Sequence, residues 1–412
     1  MIHTSIEKGT LAYRKVVIGL FLGGFVTFAV MYCTQPLLPI YSREFDISPA
    51  IASLSVSLTT GVLAVMMTVI AALSNAWGRK LIMSLSLIGA SALTIAAAVS
   101  PNFWVLLVVR ALEGLVLAGL PAIAMTYLGE EVHPHNLGAA MGMYIGGNAI
   151  GGMLGRIATG LLTDLYSWRV ALACIGIVGL ICAFWFSKEL PESQHFVMRP
   201  FSLKRHCESL LAQLKDPGLL CIYGIGFLLM AGFVPLYSYM GYQLMARPYN
   251  LSQAAVGWIF AVYIVGTVGS TWLGSLADRY PRHAVLGASL GTMCLGALLT
   301  LSTNVPIKIV AMAIFTFCFF GSHSIASSWI GRRAGRDKAQ ASALYLFFYY
   351  AGSSIGGSLG GLFWSTSGWL GVVSMIVVFL LSGLGLTMIL PLIPQRVIEP
   401  QAGEEVEMRQ LA

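Results

Sequence analysis

Charge is scarce in this chain: 10% of its 412 residues are Asp, Glu, Lys or Arg, whereas 57% are apolar. A water-soluble domain carries about 25% charged residues, so this composition excludes an ordinary soluble globule and places the chain in a bilayer. Cysteine is sparse as well. The seven cysteines are odd in number, scattered and mostly within apolar runs, which excludes a disulfide framework and a Cys-x-x-Cys metal site. A Walker loop and a His-Glu-x-x-His pair are also missing, and the Gly-x-Gly-x-x-Gly-like strings lie in apolar runs with no preceding strand. The chain alone is therefore not expected to pump with ATP. Neither a cofactor, a metal nor an enzymatic nucleophile is expected.

What is present is length and repetition. Gly151-Gly152-Met153-Leu154-Gly155-Arg156 returns 205 residues later as Gly356-Gly357-Ser358-Leu359-Gly360-Gly361, both copies inside long apolar segments. Leu73 to Lys80 is echoed by Leu276 to His283 in a second short link between apolar runs. A chain built twice, and apolar, suits a secondary transporter, because a site between two pseudo-symmetric halves can open to alternate sides.

Apolar stretches long enough to cross about 30 Å of hydrocarbon at about 1.5 Å per residue are expected at Val16–Ile40, Ala50–Leu73, Leu81–Val99, Phe103–Leu128, Leu137–Thr163 and Trp168–Ser187. Six more follow at Gly218–Leu244, Ala254–Ala277, Ala284–Leu301, Ile307–Trp329, Ala341–Trp364 and Trp369–Leu392. The fold expected is thus all-α and integral to the membrane, with twelve transmembrane helices in two pseudo-symmetric six-helix bundles. The bundles span 1–187 and 218–392, joined by a linker at 188–217 and followed by a tail at 393–412. The first span continues without a small-residue cleavage site, so it reads as a retained helix.

An even number of spans puts both termini on one side. Of the 24 Lys and Arg residues, 18 fall on that side, four (Arg43, Arg169, Arg247, Lys308) on the other, and two (Arg110, Arg156) within spans. This bias predicts cytoplasmic termini in an inner (plasma) membrane. It also accounts for the net charge of +7 without nucleic acid as a partner. In the linker, Leu203, Cys207, Leu210, Leu211 and Leu214 recur at helical spacing, as in a surface amphipathic helix or a short solvated coupling helix. The acidic tail reads as disordered.

Ionisable groups inside spans cost about 2.5 to 3.5 kcal/mol each on insertion scales and mark functional sites by default. Arg110 and Arg156 lie about 10 Å deep by helix rise, and Glu113 near the midplane. A carboxylate that exchanges its proton for contact with Arg110 or Arg156 would couple transport to a proton gradient; a permanent Arg–Glu structural pair is the alternative. Other polar groups in spans, Tyr32, Gln35, Asn148, Tyr263, His323 and Tyr349, are candidates to line a cavity. The remaining tyrosines near span ends read as interfacial anchors.

The loop copies at Ala71–Lys80 and Gly274–His283 resemble the G-x-L-A-D-R-x-G-R-K motif of the major facilitator superfamily. Arg110-Ala111-Leu112-Glu113-Gly114 looks like its R-x-x-q-G motif. Gly147, Gly151, Gly152, Gly155 and Arg156 resemble the fifth-helix motif of its drug:proton antiporter-like branches, and Gly-Gly-x-x-Gly-Arg that of the acriflavine-sensitivity branch. Here Gly152 replaces the usual Pro and Arg156 the last Gly. The resemblance implies a proton-coupled exporter of small amphipathic compounds, working by alternating access as a monomer. Sugar or organic-anion uptake, or a sensor without flux, are the alternatives. It also implies a cytoplasmic latch made by Asn75, Gly78, Arg79, Lys80, Gly274, Asp278, Arg279 and Arg282, acting mostly through Asp278 because Asn75 replaces the acidic residue in the first copy. The glycines of α-helical runs at 147–155 and Gly356, Gly357, Gly360 and Gly361 are expected as packing or gating joints; close packing alone is the simpler reading.

Overall fold

The computed structural model describes residues 5–194, 208, 210–334 and 338–394, without the side chains of residues 71, 72, 75, 76 and 339. Within these residues the protein is helical, apart from an isolated bridge between Ile6 and Val132. The first half comprises α1 (Leu11–Glu44), α2 (Pro49–Trp77), α3 (Arg79–Ala98), α4 (Phe103–Glu131), α5 (Pro134–Leu165) and α6 (Trp168–Glu189). The second comprises α7 (Pro217–Met245), α8 (Gln253–Arg279), α9 (Arg282–Leu299) and α10 (Val305–Arg333), then a helical stretch Lys338–Ile389 broken at Gly368 into α11 (338–367) and α12 (369–389).

The helix starts are chemically marked. Thr10, Ser48, Asn102, Ser167, Ser252 and Asn304 each accept a hydrogen bond from the backbone N–H three residues on, satisfying a donor that the helix leaves free. Two links are as short as a link can be. Gly78 (φ +91°) and Gly368 (φ +58°) occupy the left-handed region that glycine enters without a Cβ clash, and so turn α2 into α3 and α11 into α12. The helices run past the apolar stretches read from sequence, to Leu11 in α1 and Arg333 in α10, because their capped polar ends project beyond the hydrocarbon.

Ten stretches are long and apolar enough to cross a membrane, with α11 and α12 counted together. The helix left out is α5, whose 32 residues include eight glycines together with Asn136, Asn148 and Arg156. Twelve helices therefore span. The linker residues 195–207 and 209, including Leu203 and Cys207 of the expected amphipathic helix, and the tail from 395 lie outside the described residues.

Within the halves α1 packs along α5, and α7 along α11. The halves meet where α2 lies on α11 and α5 on α8, positions that the internal repeat exchanges. Among the described residues, the hydrogen bonds that cross between halves lie from the middle of the bundle to the end away from the termini. Gln35 bonds Ser238, Ser42 and Leu38 bond Tyr242, Gln253 bonds Pro36, and Ser354 bonds Ser57. At the terminal end the glycines Gly129, Gly138, Gly142, Gly146 and Gly331 face open space. Among the described residues, the hydrogen bonds between the halves are thus confined to the middle and the far end, the near end being that of the termini.

Candidate functional site

The i,i+3 spacing of Arg110 and Glu113 puts both on one face of α4, and both are fully buried. Arg110 Nη1 donates to Glu113 Oε1 at 2.5 Å. The guanidinium has three further acceptors: the carbonyls of Ser55 (2.8 Å), Val30 (3.2 Å) and Met31 (2.7 Å). Sequence supplies the last two. The first segment of α1 ends at Tyr32, before a 3-10 turn at Gln35–Leu37, and a helix leaves its last carbonyls without intrahelical donors. Gly114 brings α4 onto α2 so closely that a Cβ there would overlap the Thr59 backbone. Besides Arg110, the side chain of Thr94 in α3 interacts with the Glu113 carboxylate.

Arg156 sits apart from this pair. Its Nε donates to Gln35 Oε1 at 2.7 Å and its Nη1 to the Gly152 carbonyl at 2.5 Å. Because a guanidinium can only donate, the Gln35 amide must turn its oxygen to Arg156. Its nitrogen then reaches across the seam to Ser238 Oγ (3.0 Å) and the Val234 carbonyl (3.4 Å) of α7. The guanidinium carbon lies 4.2 Å from the Tyr32 ring centre, 5.0 Å from Phe260 and 5.1 Å from Tyr263, so both halves contribute aromatic faces to one cation. The Tyr263 hydroxyl is buried without a protein partner, and that of Tyr32 is buried with only Ser353 of α11 beside it. Behind them Tyr237 stacks on Phe260 at 5.1 Å, and Phe233 on Phe319 at 3.7 Å.

Of the expected cavity residues, Tyr32, Gln35 and Tyr263 thus meet at Arg156. His323 and Tyr349 form a second patch: their rings are 4.5 Å apart, and His323 Nδ1 lies 2.8 Å from Tyr345 Oη. Asn148 lies elsewhere, on the seam between α5 and α1 against Gly24. Glu113 pairs with Arg110 and has no described contact with Arg156. Phe260 is a further member that sequence does not single out, and Tyr237, read from sequence with the interfacial tyrosines, joins it, although aromatic residues crowd both α7 and the start of α8 in sequence. Tyr239 and Tyr242, read as interfacial anchors, are tertiary contacts: Tyr239 donates to the Gly357 carbonyl, and Tyr242 to that of Leu38. Tyr239 is buried and Tyr242 half-buried because this end of α7 is pressed between α1 and α11.

Among the described residues, the near-end ion pairs join groups of the same half. Asp278 accepts from Arg282 (2.9 Å) and Arg332 (3.3 Å), both in the second half. Arg79 bonds Glu130 at 2.7 and 3.1 Å, and Lys80 bonds Glu192 at 3.0 Å. Gly78 provides the turn, Gly274 packs against Ser324 of α10, and Arg279 has no described ion pair. The Asn75 side chain lies outside the described residues. The glycine rows divide by direction. Gly147, Gly151 and Gly155 press on α1, and Gly356 and Gly360 on α7, whereas Gly357 and Gly361 face Ser57 and Ala50 across the seam and Gly152 leaves room for the Arg156 side chain. A cavity of about 790 Å³ between α8, α9 and α10 is apolar and includes none of the Arg156 cluster.

This architecture has relatives. A profile described as "Major Facilitator Superfamily" matches residues 20–246 and 219–411. The chain is 50% identical to the "Uncharacterized MFS-type transporter YybF" of Bacillus subtilis (strain 168) over 93% of its own length and 95% of that protein. It is 45% identical to "Inner membrane transport protein YnfM" of Escherichia coli (strain K12), covering 92% and 91%. "Multidrug resistance protein MdtG" of Salmonella typhi is 27% identical over 65% of this chain and 68% of that one. Among solved structures, a bacterial homolog of the human lysosomal transporter Spinster, inward-facing and unoccupied, superposes with a TM-score of 0.76 at 17% identity, covering 93% and 98%.

Proposed function

The chain belongs to the major facilitator superfamily, a multi-pass membrane transporter and not an enzyme, and from that premise we propose that it exports small amphipathic compounds in exchange for protons. The observation that carries this reading is the Arg110–Glu113 pair. Arg110 keeps three carbonyl acceptors whether or not Glu113 is charged, so the carboxylate can take up and release a proton without stranding the guanidinium. Export is supported by the fifth-helix glycine pattern and by the likeness to a multidrug resistance protein.

In this reading the near end faces the cytoplasm, in line with the placement of Lys and Arg. The near end, where no hydrogen bond joins the halves among the described residues, is then the cytoplasmic entrance to a site formed by Arg156, Tyr32, Gln35 and Tyr263, with His323 and Tyr349 along its wall. The rocking bodies are 1–187 and 218–392, coupled by 188–217, and the loops holding Asn75 and Asp278 close the cytoplasmic side in the opposite state. Organic-anion uptake shares Arg156 and differs in direction.

Flux into inverted vesicles tests the reading. An interior-acid gradient should drive accumulation by the wild type, and Glu113→Gln should abolish the gradient-driven part while preserving downhill exchange. Gradient-driven flux at the wild-type level in Glu113→Gln removes the proton role, and accumulation in the reverse sense removes export.

A further inference from the structure

Charge does not balance where the halves meet. Arg110 is matched by Glu113, but Arg156, only 3% exposed, has no carboxylate among its described contacts. Its partners are an amide oxygen, a backbone carbonyl and three aromatic faces, none of which carries a full negative charge. A buried cation without a counter-ion is costly. The internal repeat shows that the position does not need one, because the equivalent residue is Gly361.

The surroundings of Arg156 define what would complete it. Its Nε and Nη1 are engaged, and Nη2 has no described hydrogen bond. Beside it are two phenols, Tyr32 at 2% exposure and Tyr263 at 5%; the Tyr263 hydroxyl lacks a protein partner, and that of Tyr32 has only Ser353 of α11. One comes from each half. A guanidinium edge flanked by two O–H donors is a donor set for a planar oxyanion, and charge-assisted bonds of this kind are the stronger class. Next to these donors the wall turns wholly aromatic: Tyr263 lies 5.6 Å from Phe233 and 5.9 Å from Phe260. A ligand that satisfies both parts has a carboxylate at one end and a flat apolar body at the other.

We propose that Arg156, Tyr32 and Tyr263 form the anion subsite of this transporter, and that its substrates are small carboxylates with an aromatic or similarly flat apolar body. The inference rests on the export reading for its transport consequence and on the geometry alone for binding. A substrate held there touches both halves at once, and it supplies the counter-charge that Arg156 lacks. Neutral and cationic amphipaths of the same shape leave Arg156 unmatched and are discriminated against.

Benzoate, benzamide and benzylamine are suitable probes, titrated against the full-length protein in nanodiscs by calorimetry. Benzoate should bind at least about tenfold more tightly than benzamide, the ratio expected for one charge-assisted interaction, and benzylamine more weakly still. Arg156→Gln should erase the preference and Arg156→Lys should retain part of it. Tyr263→Phe, which keeps the ring and its packing, should weaken benzoate severalfold and leave benzamide unchanged. Equal binding of the three probes, no benzoate binding at millimolar concentration, or an undiminished preference in well-folded Arg156→Gln or in Tyr263→Phe overturns the subsite. Benzoate preference without proton-driven flux keeps the subsite and removes export, whereas proton-driven flux of cations alone does the reverse.

Discussion

The two halves share a fold but not a chemistry. Aligned on Gly114 and Gly321, the positions of Arg110 and Glu113 in α4 correspond to Phe317 and Phe320 in α10. The first half buries an ion pair there. The second places half-buried rings there: Phe317 lies 5.8 Å from Trp272, and Phe320 5.8 Å from Tyr263. The glycines are common to both, each admitting a neighbouring helix that a Cβ would meet, Thr59 of α2 in one half and Leu273 of α8 in the other. What the halves share is what the helix crossing requires. What they do not share, the charge, is free to serve transport.

The largest effect that tests this contrast follows from breaking the pair on one side only. Glu113→Leu leaves Arg110 buried without its counter-ion and should cost about 3–5 kcal/mol of stability, whereas replacing buried pairs by apolar groups is often near neutral. Arg110→Leu with Glu113→Leu should therefore recover most of the loss. The acceptors allow it: Val30 O keeps the Cys33 thiol and Ser55 O the hydroxyls of Thr34 and Thr59, so only Met31 O loses its described donor. Thermal unfolding in detergent reads the recovery, and proton-driven flux should stay absent throughout. A double variant as unstable as the single one would make the charge structural and end the contrast.

An effect of intermediate size is expected at the near end, where the halves differ by Asp278 and Asn75. Asp278 is 62% exposed and tied to Arg282 and Arg332, pairs worth up to about 1 kcal/mol. Asp278→Asn should leave the unfolding temperature nearly unchanged yet slow flux several-fold, since its role lies in the state with the near end closed. Asn75→Ala should be milder in flux. A more damaging Asn75→Ala at equal expression inverts the asymmetry.

Much of this was legible in the sequence, for identifiable reasons. Apolar length and the repeat predict the spans, and i,i+3 spacing pairs Arg110 with Glu113, because both signals are local. The partners of Arg156 are not local. Gln35 reaches it across 121 residues and Phe260 from the other half, and no periodicity reports which helix faces meet at a seam. The tertiary contacts of Tyr239 and Tyr242 were illegible for the same reason. Where α7 ends in the sequence it looks like a membrane interface, and only the contact with α1 and α11 makes it interior. Helix α5, legible as the span Leu137–Thr163, gives a weak apolar signal, since the glycines that let it pack on α1 lower it.

The smallest effect separates the helices that open the two halves. Helix α1 is capped by Thr10, whose neutral hydroxyl accepts from the Tyr13 N–H at 3.1 Å. Helix α7 is capped by Asp216, which accepts from the N–H groups of Gly218 and Leu219 and from Arg333 Nε at 2.9 Å. Burial works to raise the Asp216 pKa, but the Leu219 and Gly218 hydrogen bonds and the Arg333 charge outweigh it and hold the carboxyl below its ordinary value of 3.8. A carboxyl whose folded pKa is depressed contributes stability that is fully present above the unfolded value and is lost as pH falls through the folded one. Asp216→Asn keeps a good cap and loses only the charge-assisted part, on the order of 1 kcal/mol at neutral pH. The difference in unfolding temperature between wild type and Asp216→Asn should hold down to about pH 4 and shrink below it, while Thr10→Ala should lower stability equally across that range. A pH-independent gap for Asp216→Asn would mean that the Arg333 contact adds nothing beyond the cap, and that the two opening helices are held alike.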